Sequence, residues 1–181
     1  MRHLLNRHPD SPCAAVTRIE AFVARPRGGA LALRYLVTGA IRELRLPPAA
    51  ASVRADELWR RTCFEAFVRA PVGEGYYEFN VSPSTQWAAY RFDGYRQGMR
   101  PAEGIGAPQV EVRSTAKRFE MDVTLALPDS LADAPWRLGL SAVIEAADGR
   151  ISYWALAHPP GKADFHHADG FALELPVTER T

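Results

Sequence analysis

Nowhere in the 181 residues does a run of about 18 apolar side chains occur, so no helix of this chain is expected to span a bilayer, and no membrane partner is expected. The segment from Met1 to Pro9 also lacks the continuous apolar core of a secretory signal, which makes the cytoplasm the expected compartment. Cysteine is scarce. Cys13 and Cys63 are too few for a disulfide framework, and cytoplasmic thiols are ordinarily reduced. There is no excess charge of either sign: 22 basic against 21 acidic residues give a net charge of +1. That balance lacks the basic footprint of phosphate neutralisation, so no nucleic-acid partner is expected. Lysine is nearly missing as well. All basic residues except Lys117 and Lys162 are arginine, the side chain suited to forked pairing with carboxylates. Catalytic signatures are equally absent: no G-x-S-x-G, no P-loop, and at Gly104-Ile105-Gly106 no third glycine to complete a dinucleotide fingerprint. No catalytic residue is therefore assigned, and whether the chain is an enzyme stays open.

What is present is period-two alternation. Phe119, Met121, Val123, Leu125 and Leu127 alternate with polar or small residues, and Leu138, Leu140, Ala142 and Ile144 repeat the pattern. Asp148-Gly149 reads as a hairpin turn into Ile151–Ala157, and Gly28-Gly29 as the turn joining Val16–Val23 to Leu31–Val37. With 109–113 and 171–175, about ten or eleven short strands emerge. The expected fold is all-β, an antiparallel, jelly-roll-like sandwich with little helix. Short helical turns are expected near 55–59 and 129–132, with Asp129 capping the second. Residues 1–13 read as a loose lead-in to a single domain over 14–181.

The densest chemistry lies in Leu58–Val68 and Tyr76–Pro83. If Phe64, Ala66 and Val68 face the core, Cys63, Glu65 and Phe67 face away; if Tyr77, Phe79 and Val81 face it, Tyr76, Glu78 and Asn80 face away. Glu65, Glu78 and Asn80 then share one concave face. Carboxylates accept from neighbouring hydroxyls and an amide both donates and accepts, which suits a polyol, while a ring such as Trp59 covers its C–H face. Arg54 is a candidate partner for these acids. Trp87, Tyr90, Tyr95 and Trp136 read as core rings, whereas either Tyr153 or Trp154 must look outward, and Trp154, near His158, is taken as the candidate.

The interval between Trp59 and Glu65, followed by Tyr76-Tyr77-Glu78-Phe79-Asn80-Val81-Ser82-Pro83, resembles the DOMON-like superfamily, in particular the family 9 carbohydrate-binding modules, over residues 54–93. The closing segments Ser152–Pro159 and Ala163–His166 resemble a bacterial DOMON-like branch. The resemblance implies a sandwich that binds a sugar or polyol without transforming it, with Arg54, Trp59, Glu65, Glu78, Asn80, Trp154, His158, Asp164 and His166 as the candidate ligand-binding set. In place of the second clamp aromatic this chain offers Phe165 and His166.

Two other ligand classes remain open at this level. His158, Asp164 and His166 form a possible divalent-metal set, or else Asp164 orients His166 and orders the loop. The superfamily also includes haem binders, for which Met99 with His158 or His166 would supply the axial pair. A further alternative is a protein interaction module pairing through an exposed sheet edge, although the sequence names no partner.

Overall fold

The computed structural model of the chain describes residues 1–26 and 29–177. Its strands are β1 (Arg2–Arg7), β2 (Val16–Ala24), β3 (Ala30–Gly39), β4 (Cys63–Arg69), β5 (Tyr76–Val81), β6 (Trp87–Phe92), β7 (Arg100–Pro101), β8 (Gln109–Ser114), β9 (Arg118–Ala126), β10 (Trp136–Glu145), β11 (Ile151–Ala155) and β12 (Leu173–Leu175). All pair antiparallel in the order β7-β6-β5-β4-β10-β11-β1-β2-β3-β9-β8, with β12 added to β10. Helix amounts to single 3-10 turns, and none is long and apolar enough to cross a membrane. The fold is all-β and sandwich-like, as the alternation predicts.

The sheet curls so that its two halves face each other. Leu31, Leu33, Tyr35 and Val37 of β3 and Phe119, Met121, Val123 and Leu125 of β9 pack against Phe64, Ala66, Val68 and Phe79 of β4 and β5. The Phe64 ring stacks on Phe119 at 5.6 Å, and the Tyr35 hydroxyl donates to the Glu65 carbonyl at 2.8 Å, tying the halves together. The alternation at 119–127 and 138–144 is the inner face of this core.

Strand β1 corrects the expected lead-in. Leu4 and Leu5 pair with Glu20 and Ile19 of β2, while Asn6 and Arg7 pair with Ala155 and Trp154 of β11, so this strand bridges the two halves. Its pattern carries no alternation because only Leu5 is buried. The 3-10 turns at Leu58–Arg60 and Asp129–Leu131 lie where turns are expected, but Pro128 occupies the cap position of the second and no side chain caps it. The Asp148-Gly149 turn forms, with the Asp148 carboxylate accepting from the Arg150 amide at 2.9 Å. Of the Gly28-Gly29 turn, Gly28 lies outside the described residues.

Candidate functional site

The outer face of β4, β5 and β10 is covered too. Every residue from Cys63 to Val68 is buried: Phe64, Ala66 and Val68 in the main core, and Glu65 and Phe67 beneath the chain between β11 and β12, which crosses this face as a strap. Beneath it a second apolar cluster forms from Phe67, Tyr76, Ala88, Tyr90, Phe92 and Phe171, flanked by Leu58, Trp59 and Phe165. The strap lies close to the sheet at Gly139. A Cβ there would meet the Gly170 carbonyl at 3.0 Å and the Phe67 side chain at 3.4 Å. Arg69 caps the cluster, its guanidinium 4.6 Å from the Phe171 ring centre.

Between strap and sheet a cavity of about 350 Å³ opens. Its floor is Glu65 on β4, Glu78 on β5 and Val143 on β10; Trp59, Phe92, Tyr153 and Phe165 supply aromatic walls, and Arg96, Met99, Ala163 and His166 complete it. Strand register explains the floor. Ser141, Glu65 and Asn80 stand side by side across β10, β4 and β5, and Glu78 is the diagonal neighbour of Glu65, opposite Phe67.

The polar network here is specific. Ser141 donates to Glu65 at 3.2 Å, and the Asn80 amide donates to Glu78 at 2.8 Å. Glu65 Oε1 and Asn80 Oδ1 are buried with no hydrogen-bond partner among the described residues. Tyr76 Oη lies 2.7 Å from His166 Nδ1 and accepts from the Arg96 amide at 3.3 Å. The other ring nitrogen of His166, Nε2, lies 3.8 Å from Glu78. Asp164 holds the strap down: it accepts from Arg96 Nη2 at 2.8 Å, from the His166 amide at 3.1 Å and from the Tyr95 hydroxyl. Arg96 sits in a turn with φ +53°, an uncommon left-handed conformation for a side-chain-bearing residue.

Burial favours the neutral form of both acids. Burial, then the neighbouring Glu78 charge, pushes the Glu65 carboxyl well above the usual carboxylate range. Burial pushes Glu78 up to about 7, and burial with the nearby Arg96 charge lowers His166 to about 4. The His166–Glu78 contact, at 3.8 Å, has the spacing of an ion pair, but an imidazole depressed this far is uncharged near neutrality, so it is not an ion pair there. Desolvation decides here because both side chains are largely enclosed.

A pH consequence follows. A carboxyl that holds its proton more tightly in the folded state loses stability as pH rises, for Glu78 between about 4.5 and 7; a depressed imidazole gains stability as pH rises, for His166 between about 4 and 6.5. The two slopes oppose each other in the wild type. Glu78→Gln removes the falling one, so stability from urea unfolding should rise with pH between about 4.5 and 6.5 more steeply than in the wild type, by up to about 1.4 kcal/mol per unit. An unchanged slope would show that Glu78 titrates as an ordinary carboxyl.

Of the sequence-predicted set, the structure brings Trp59, Glu65, Glu78 and His166 to the cavity. Asn80 and Asp164 stand one layer behind, holding Glu78 and the strap. Three candidates do not line it. Arg54 donates to the Ala89 carbonyl beside the Trp87 and Tyr90 rings and pairs with neither acid. Trp154 points into the main core, its indole N–H on Ser152, and Tyr153 is the residue that looks outward. His158 turns toward β1, with Nε2 2.8 Å from the Asn6 carbonyl and its ring edge-on to His8. Tyr95, expected in the core, is 53% exposed. Phe92 and Val143 were not among the candidates, although the alternation of β6 and β10 places both on this face.

The metal set is consequently not assembled. His158 stands apart from Asp164 and His166, and no group of three His, Cys, Asp or Glu side chains is placed for a metal among the described residues. Of the haem donors, Met99 and His166 line the cavity and His158 does not. Nδ1 of His166 is engaged by Tyr76 at 2.7 Å, and Nε2 lies 3.8 Å from Glu78.

Fold and site together define an all-β sandwich carrying an aromatic-walled, acid-floored cavity on one outer face. Among solved structures the chain is similar to a candidate carbohydrate-binding protein from Bacteroides uniformis, at 14% identity and TM-score 0.63, over 94% of this chain and 83% of that one. It is also similar to a family 9 carbohydrate-binding module from Caldicellulosiruptor kristjanssonii in complex with glucose, at 10% identity and TM-score 0.53, over 98% of this chain and 86% of that one. The same family from that organism in complex with cellotriose matches at 10% identity and TM-score 0.55, over 98% and 83%. At these identities the likeness is one of fold. No protein-family model matches the chain, and no curated protein does.

Proposed function

We propose that this protein is a DOMON-like binding module that takes a sugar or sugar-like polyol into the cavity between strap and sheet, without transforming it. The observation that carries the reading is the pairing of Glu65 and Glu78 on the floor with the Trp59 ring in the wall. A neutral carboxyl both donates and accepts, as a vicinal diol does, and Glu65 Oε1 is buried with no hydrogen-bond partner among the described residues. An aromatic ring against the C–H face of a pyranose supplies the apolar share of the contact. The sandwich fold shared with sugar-bound family 9 modules supports the same reading.

Calorimetric titration with glucose and cellotriose tests it. At least one should bind, and Glu65→Gln should lose about 1–3 kcal/mol of that affinity with little change in melting temperature, because the amide keeps the shape but exchanges an acceptor for a donor. A variant that loses stability while binding as the wild type does would make Glu65 a structural acid and remove the site from this cavity.

A further inference from the structure

Four carboxylates are almost wholly buried among the described residues: Glu20, Glu65, Glu78 and Glu145. Two of them lie away from the cavity and each is neutralised by two arginines. Glu20 holds Arg2 at 3.0 Å and Arg18 at 3.4 Å, and Glu145 holds Arg45 at 2.9 Å and Arg61 at 2.8 Å. The chain thus meets a buried acid with guanidinium groups wherever the acid is structural. Glu65 and Glu78, 3% and 4% exposed, face the cavity and have no such partner. Their hydrogen bonds come from the neutral Ser141 and Asn80, and Arg96, the arginine in the cavity lining, is committed to Asp164. Arg96 and Asp164 cancel, so no guanidinium cation is left over to let the two floor acids ionise.

We infer that the ligand brings that cation: the cavity takes an amino sugar whose ammonium group sits against Glu65 and Glu78. This deepens the sugar reading and rests on it. An ammonium carries three donors, enough for the unpartnered Oε1 of Glu65 and an oxygen of Glu78, and it is the counter-charge that lets both acids ionise in a desolvated site. The aromatic side chains of Trp59, Phe92, Tyr153 and Phe165 line the same space, and aromatic rings attract cations. A neutral polyol uses the hydroxyl-binding capacity of the floor and leaves its charge capacity unused.

The experiment is calorimetric titration of the full chain at about pH 6 with glucosamine, glucose and N-acetylglucosamine, the last keeping the nitrogen but not its charge. Glucosamine is expected to bind about tenfold tighter than glucose or more, and N-acetylglucosamine no tighter than glucose. In the double variant Glu65→Gln/Glu78→Gln, glucosamine should fall to the level of glucose measured on the same protein. Equal wild-type affinities for glucose and glucosamine would overturn the ammonium inference and leave the sugar reading standing. A preference that survives the double substitution would overturn it as well, and failure of all three sugars to bind would remove both.

Discussion

Phe64→Ala is expected to cost about 3–5 kcal/mol of folding stability, measured by urea or thermal unfolding. The ring is fully enclosed between the halves of the curled sheet, stacked on Phe119 and tilted against Tyr35 at 4.9 Å. Its removal leaves a void bounded by β3, β4 and β9, whose backbone pairings on both sides prevent collapse. The affinity of the outer cavity should change far less, since Phe64 points away from it. A loss under about 1 kcal/mol would mean that the two halves do not pack through this ring.

Gly39→Ala should be at least as damaging, at about 4 kcal/mol or more, and is expected to compromise folding at physiological temperature. Gly39 closes β3 at φ +156°, and a Cβ there would lie 2.0 Å from the Ala15 carbonyl oxygen and 2.9 Å from Val16 Cα. Those are backbone atoms. The carbonyl also accepts from Ala40 at 2.7 Å, and the pairing of β2 with β3 shifts register at this point, so neither strand can yield without losing hydrogen bonds. Gly104→Ala is the control: φ is +71° but nothing lies within 4 Å of the new atom, and only the left-handed backbone cost of about 1–2 kcal/mol applies. Similar losses for both variants would show that the close approach at Gly39 is not what matters.

How far the sequence could be read depends on which faces are buried. On β9, Phe119, Met121, Val123 and Leu125 are buried while Thr124 and Ala126 are exposed, so alternation reports the core directly. On β4 and β5 alternation sorts the faces correctly, but it cannot tell solvent from a second covered layer. Glu65, Glu78 and Asn80 look wet in sequence because they are polar and face away from the core; the strap covers this face, and it comes from residues some eighty to a hundred positions later. Trp154 illustrates the same limit. Ser152-Tyr153-Trp154 permits either ring to look outward, and only the pairing of β11 with β10 and β1 sets the phase. His158 groups with Asp164 and His166 by nearness in sequence, yet its Nε2 lies against the Asn6 carbonyl of β1, whose pattern carries no signal. Gly139 is a glycine in a strand, and the reason for it, the approach of Gly170, lies in tertiary structure alone.

The account stands most directly on where a sugar sits. A crystal structure of the protein soaked with glucose should show the pyranose between Trp59 and the floor, with ring hydroxyls within hydrogen-bond distance of Glu65 Oε1 and the Glu78 carboxyl, and with Tyr76, His166 and Asp164 still holding the strap. Glucose bound instead along the exposed edge of β7 or β8, with Glu65 and Glu78 untouched, would contradict it.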